Sequence, residues 1–128
     1  MVRATNFLCE EKMTAQCVIY CRTACNPQRG FDSAAQKQEQ ICREAALTLN
    51  FEVVETFCDS GISGASEIRS EFNALLELLR QRPKPIAVLI SSRDRLARDL
   101  RVHFALTEKL SDLGAVLVFV NEVIRKAA

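Results

Sequence analysis

The sequence predicts an α/β domain of three layers, with a mostly parallel central sheet of four to five strands and helices on both faces. Three observations carry that expectation. Strand-like runs alternate with segments of helical spacing, and the joins between them are short. In addition, Pro85-Ile86-Ala87-Val88-Leu89-Ile90 is apolar almost throughout, as suits a central strand covered on both sides.

Residues 1–14 show no clear periodicity and are expected to be a leader or tag-like segment, with Met13 just ahead of the first strand. Strands rich in Val, Ile and Phe are expected at Cys17–Cys21, Phe51–Phe57, Pro85–Ser91 and Ala115–Val120. The first helix, Gln36–Leu49, places Ile41, Ala45 and Leu49 on one face. The second, Ser66–Arg80, gathers Phe72, Leu75, Leu76 and Leu79 at i, i+3, i+4 and i+7. The third, Asp99–Leu113, does the same with Leu100, Phe104, Leu110 and Leu113, and Gly114 follows as a stop. The domain proper is expected over residues 15–122.

The 128 residues suffice for one domain that buries about two-thirds of its unfolded surface. With 48% apolar and 26% charged residues, wholesale disorder is excluded. No apolar run approaches the roughly 18 residues of a membrane span, and nothing resembles a signal peptide. A cytoplasmic protein with no membrane partner is the expectation. Seventeen Lys plus Arg against sixteen Asp plus Glu leave a net charge of +1. Contact with nucleic acid would therefore come from local clusters of charge.

Six cysteines stand at Cys9, Cys17, Cys21, Cys25, Cys42 and Cys58. A disulfide framework suits a secreted, core-poor chain, and the long aliphatic runs argue for reduced thiols. The spacing of Cys17, Cys21 and Cys25 suggests a metal cluster. A structural zinc site normally carries a second ligand pair, however, and here His103 stands alone. Cys17 and Cys21 are read as small hydrophobes within a strand, and no metal is expected.

Functional groups in parallel α/β sheets gather at the carboxyl ends of strands. After the first strand comes Arg22-Thr23-Ala24-Cys25-Asn26-Pro27-Gln28. After the second come Asp59-Ser60-Gly61-Ile62-Ser63-Gly64 and then Arg69. After the third comes Arg93-Asp94-Arg95-Leu96-Ala97-Arg98-Asp99. A parallel sheet would bring Arg22, Arg69, Arg95 and Arg98 to one edge, with Asp59 and Asp94 beside them. Four converging guanidiniums describe a phosphate site, since arginine offers planar paired donors and keeps its charge. The competing reading is ordinary surface arginine, paired with acidic neighbours. No Gly-x4-Gly-Lys-Ser/Thr loop and no Gly-x-Gly-x2-Gly turn is present, which disfavours the common nucleotide folds. Gly61 and Gly64 are read as a loop signal only.

Together these residues resemble the catalytic domain of the serine site-specific recombinases, the resolvase and invertase family. That family opens on Tyr-x-Arg-x-Ser-Thr, and here stands Tyr20-Cys21-Arg22-Thr23-Ala24-Cys25. Gln38, ahead of Ile41-Cys42-Arg43-Glu44, matches a helical glutamine. Phe57 to Gly64 matches Phe-x-Asp-x-x-x-Ser-Gly, Arg69 matches an arginine ahead of a helix, and Asp94-Arg95-Leu96-Ala97-Arg98 matches Asp-Arg-Leu-x-Arg outright. The likeness covers roughly residues 15–122.

The resemblance implies a domain that cleaves and exchanges DNA strands without a metal or cofactor. A serine after the first strand would form a 5′ phosphoserine link and release a 3′ hydroxyl. Arg22, Arg69, Arg95 and Arg98 would bind the phosphate, and Asp94 would orient arginines or assist proton transfer. Asp59 would brace the cluster from behind, with Gln28, Gln38 and Ser63 in support. Yet Ala24 occupies the nucleophile position, so this chain is expected to be inactive; Cys25 is the displaced alternative. Family members continue into a long dimerising helix and a DNA-binding region, so residues 123–128 are expected to be a truncated start of the helix region. Weak DNA binding follows, with recombinase subunits as partners of the longer protein. Two alternatives stay open. One is a non-catalytic recombinase-like domain that pairs with active subunits, and the other is a phosphate-handling enzyme or regulator on a similar sheet.

Overall fold

A computed structural model describes residues 15–24, 33–66, 68–82 and 86–127. The expected leader, Cys9, Cys25, Gln28 and Pro85 lie outside the described residues. The elements run β1 (Ala15–Thr23), α1 (Ser33–Leu49), β2 (Phe51–Ser60), α2 (Ser70–Arg80), β3 (Ala87–Ile90), α3 (Arg93–Leu96), α4 (Leu100–Asp112), β4 (Val116–Phe119) and α5 (Val120–Ala127). Four strands form one sheet in the order β2-β1-β3-β4, and every pairing is parallel. The expected helix over 66–80 begins later, at Ser70, because residues 61–66 and 68–69 form the loop that carries Arg69.

The sheet separates two cores. Alternation along β1 sends Val18 and Tyr20 to one face, where Phe72, Leu75, Leu76 and Leu79 of α2 and Val102, Leu106 and Leu110 of α4 cover them. Cys17, Ile19 and Cys21 point to the other face, under Cys42, Ala45 and Ala46 of α1 and Val120 of α5. The cysteine spacing at 17 and 21 is therefore a strand period. Burial pushes the Cys17 thiol up to about 11 and Cys42 to about 12, so both stay protonated as small apolar groups. Among the described residues no cluster of His, Cys, Asp and Glu could hold a metal ion. No helix of the described residues is long and apolar enough to cross a membrane.

Two helix faces differ from expectation. On α1 the buried row is Ala35, Gln38, Cys42, Ala45 and Ala46, while Ile41 is exposed. On α4 the buried row is Val102, Leu106 and Leu110, and Leu100 and Phe104 are 68% and 64% exposed. Spacing alone selects either of two overlapping rows, and large apolar residues drew the reading to the outer one. Helix start decides the phase. The Asp99 carboxylate caps α4 by accepting from the Arg101 and Val102 amides at 2.9 and 3.3 Å, which turns Val102 inward. At the far end Gly114, at φ 77°, and Ala115 bond back to the Ser111 and Leu110 carbonyls, the expected glycine stop.

One irregularity positions the functional edge. Cys17 pairs with Val53 but Val18 pairs with Glu55, so Val54 is an extra residue in β2. A one-residue bulge inverts every later side chain. Without it Phe57 and Asp59 would lie on the same face as Val53; with it, Phe57 packs on the α2 side and Asp59 reaches the start of α2.

The two α4 rows give a direct test. Leu106→Ala, at a fully buried site, is expected to cost about 2–5 kcal/mol in urea unfolding. Phe104→Ala is expected to stay within about 0.5 kcal/mol of the parent.

Candidate functional site

The loop after β2 and the segment after β3 meet the end of β1 at the carboxyl edge of the sheet. The Ile62 amide donates to the Thr23 carbonyl at 2.9 Å, joining the loop after β2 to the end of β1. The Arg98 amide donates to the Gly64 carbonyl at 3.2 Å, joining that loop to the one after β3. A Cβ on Gly64 would sit 2.9 Å from both the Arg98 amide nitrogen and its Cγ, so only glycine permits this approach. Gly64 is thus more than the loop signal it resembles in the sequence.

Two arginines hold these loops from inside. Arg22 is 1% exposed, and its guanidinium donates to the carbonyls of Ile62 at 2.8 Å, Asp94 at 2.8 Å and Arg95 at 3.2 Å. Arg69 is 0% exposed and donates to the carbonyls of Ser66 at 2.8 Å, Gly64 at 3.3 Å and Leu96. A buried guanidinium keeps its charge, so carbonyl oxygens must replace the lost water. Burial comes first among the causes that lower the Arg22 pKa, followed by the charge of Arg69 and then by lesser effects that include Arg98 and Arg95. All four expected arginines therefore share one neighbourhood.

They do not share one exposure. Arg95 is half-buried and Arg98 exposed, and neither guanidinium donates a hydrogen bond to a described residue. Arg93 follows the surface-pair reading: it binds the Glu122 carboxylate and lies 4.5 Å over the Phe119 ring. The short helix α3 is thus pinned at its start by Arg93, while its carbonyls accept from Arg22 and Arg69.

The acidic and amide residues take defined places. Asp59 accepts from the Tyr20 hydroxyl at 2.8 Å and from the Glu71 and Phe72 amides at 3.0 Å each. It caps α2 and touches Tyr20; none of its hydrogen bonds comes from an arginine. Tyr20 was not expected among the site residues, although it stands in the same motif. Burial, followed by the Asp59 charge, drives its phenol far above the ordinary range, so it remains a donor, and nearby Arg69 opposes the shift. Gln38 is buried, with its Oε1 accepting from the Arg22 amide at 3.1 Å and its Nε2 donating to the Arg22 carbonyl at 3.0 Å. It pairs with β1 beyond Ile19, the last β1 residue matched to β3. Ser63 is exposed, and its hydroxyl accepts from the Ala65 amide within its own turn.

Asp94 is exposed, and its carboxylate accepts from the Ser92 hydroxyl at 2.6 Å. That bond is the main cause that holds its carboxyl below the usual range; its own backbone amide, Arg95 and Arg98 add to it against some desolvation. It is ionised near neutral pH, which suits an acceptor and not a proton donor. Ala24 follows β1 directly and is exposed.

A family model described as the resolvase N-terminal domain matches residues 17–128. The N-terminal catalytic domain of TP901-1 integrase is similar at 23% identity and TM-score 0.72, over 84% of this chain and 79% of that one. The C-terminal catalytic domain of ISC1926 TnpA, an IS607-like serine recombinase, is similar at 27% identity and TM-score 0.69, over 82% and 67%. A resolvase family site-specific recombinase from Streptococcus pneumoniae is similar at 23% identity and TM-score 0.67, over 84% and 73%. The two likenesses at 23% identity show the fold. No curated protein sequence matches the chain.

Arg22→Lys keeps the charge but loses the planar fork that spans three carbonyls. It is expected to cost on the order of 3 kcal/mol in denaturant unfolding, with faster amide exchange in residues 61–66 and 93–98. Ser92→Ala is expected to raise the Asp94 pKa towards the ordinary value, read by carboxyl carbon NMR. Because the folded value lies below the unfolded one, the stabilisation is present at neutral pH and is lost as pH falls through the depressed value. The Ser92→Ala chain should therefore lose less stability on acidification than the parent does.

Proposed function

The chain belongs to the family of resolvase N-terminal domains, and on that premise we propose that it is the DNA strand-cleavage and exchange domain of a serine site-specific recombinase in which Ala24 stands at the nucleophile position. One observation carries the reading: Ala24 is exposed directly after β1, whose end is tied to the loop after β2, and that loop is tied in turn to the segment that bears Arg95 and Arg98. Those two guanidiniums are the groups placed to take the non-bridging oxygens of a DNA phosphate. Arg22 and Arg69 act from behind, holding residues 94–96 in place and adding fixed positive potential where charge builds during strand transfer. Asp94 stays ionised and sets a negative charge near the two outer arginines. A methyl group cannot attack phosphorus, so this chain does not cut DNA by itself. The reading needs no cofactor, places the protein in the cytoplasm beside its DNA, and gives it recombinase subunits as partners. With a net charge of +1, it binds DNA weakly in this form.

A second reading has its own observation. Six hydrogen bonds from Arg22 and Arg69 to main-chain carbonyls explain the presence of both arginines without catalysis. The same domain would then serve as a non-catalytic partner of active subunits, keeping the fold and the surface while lacking the nucleophile.

Ala24→Ser separates the two. It is placed in a chain joined to a family dimerisation helix and DNA-binding region and offered a nicked suicide substrate. Covalent 5′ protein–DNA adducts on a denaturing gel are the expected result with serine, and none with alanine. The absence of adducts from the serine protein, while it demonstrably binds its site, supports the non-catalytic reading. Adducts from the alanine protein that vanish with Cys25→Ala would instead assign the attack to Cys25.

A further inference from the structure

Beside this edge lies a cleft that neither reading uses. The sheet order β2-β1-β3-β4 reverses its direction of winding between β1 and β3. In open parallel sheets, ligands settle in the crevice outside the strand ends at such a point. A cleft of about 520 Å³ opens there, lined by Ser33, Lys37 and Ile41 of α1, by Ser92 and Arg95 after β3, and by Asn121 of α5. That volume falls in the range of small-molecule sites, about 300–1,000 Å³, and exceeds what a bare phosphate fills.

Its lining is chemically one-sided. Among the described residues no carboxylate faces the cleft, while Lys37 and Arg95 both do. Neither cation donates a side-chain hydrogen bond to a described residue. The amino end of the 17-residue helix α1 adds positive potential at Ser33. Gln38, which also borders the cleft, has its amide committed to the Arg22 main chain, so it fixes a wall and does not greet a ligand. The Ser33 hydroxyl and the Asn121 amide supply donors and acceptors, while the Ser92 hydroxyl, which donates to Asp94, is left to accept. Ile41, 46% exposed, supplies the apolar surface whose exposure the α1 packing leaves unexplained.

We propose that this cleft binds one nucleotide unit, with Lys37 and Arg95 on its phosphate and Ile41 against its sugar or base. The proposal rests on the reading of Arg95 as a phosphate ligand and extends it: Arg95 borders the cleft together with Lys37, and Arg98 follows it three residues along the chain. A DNA strand crossing Arg98 would place a neighbouring nucleotide in the cleft, whereas a free nucleotide would fill the cleft alone.

The test titrates the isotope-labelled 128-residue chain with a short single-stranded oligothymidylate and, separately, with thymidine monophosphate, following backbone amides by NMR. Strand affinity is measured against salt for the parent, Lys37→Gln and Arg98→Gln, all checked by circular dichroism to share one fold. Expected are amide shifts over residues 33–41, 91–95 and 121. Lys37→Gln is expected to reduce the slope of log affinity against log salt by about 0.7, the loss of one single-strand phosphate contact. Shifts from the strand with none from the monophosphate assign the cleft to a strand nucleotide; equal shifts from both assign it to a free nucleotide. An unchanged slope in Lys37→Gln with a reduced one in Arg98→Gln overturns the cleft and leaves the recombinase reading intact. If neither variant alters binding, or no probe binds, the phosphate role of Arg95 and Arg98 falls together with the cleft.

Discussion

A guanidinium removed from water keeps its charge and must be solvated by the protein itself. The carboxyl edge of this sheet is organised around two such charges. Arg22 and Arg69 leave solvent almost completely, and the oxygens that replace their water belong to residues 62, 94 and 95 and to residues 64, 66 and 96. Each arginine collects carbonyls from both the loop after β2 and the segment after β3. The loops are therefore held in register with one another by these charges, alongside the main-chain bond from Arg98 to Gly64 and the burial of Leu96 and Ala97 in the core. The placement of Arg95 and Arg98, the outer cations, follows from that arrangement.

The inner arginines depend on structure further back. The extra residue Val54 inverts the parity of β2 and delivers Asp59 to the amino end of α2. There the carboxylate accepts from two amides and from Tyr20, whose ring meets Phe72 edge-on at 5.3 Å. This fixes where α2 begins, and Arg69 is the residue immediately before its first turn. Asp59, expected behind the arginine cluster, touches the helix and a tyrosine and makes no hydrogen bond to an arginine. The chain of dependence runs from a strand irregularity to a helix cap to a buried charge.

Much of this was legible in the sequence. The apolar stretch at 86–90, the row Phe72, Leu75, Leu76 and Leu79, the Gly114 stop and the gathering of arginines at strand ends all follow from period and position. Other features were hidden for physical reasons. Spacing could not select the α4 face, because the rows through Phe104 and Leu106 share Leu110 and only the Asp99 cap sets the phase. The α1 face was legible only in part: Ala45 faces the sheet as expected, but the small Cys42 and Ala46 pack beside it and the larger Ile41 stays outside. A bulge at Val54 leaves no compositional trace. Nor does sequence tell an arginine that serves carbonyls from one that stays outside: residue type and spacing are the same, and only burial separates Arg22 from Arg98.

That separation is the central claim, and it changes what the four arginines signify. Two are explained by the fold, and two remain for a ligand. Isotope-resolved hydrogen exchange of the arginine Nε–H groups tests this most directly in the free chain. Slow exchange at Arg22 and Arg69, with rapid solvent-like exchange at Arg95 and Arg98, is the result expected of two internal and two outward guanidiniums. Four arginines exchanging alike at the rapid rate would contradict it, because the inner pair would then be in water and the loops would owe their positions to something else.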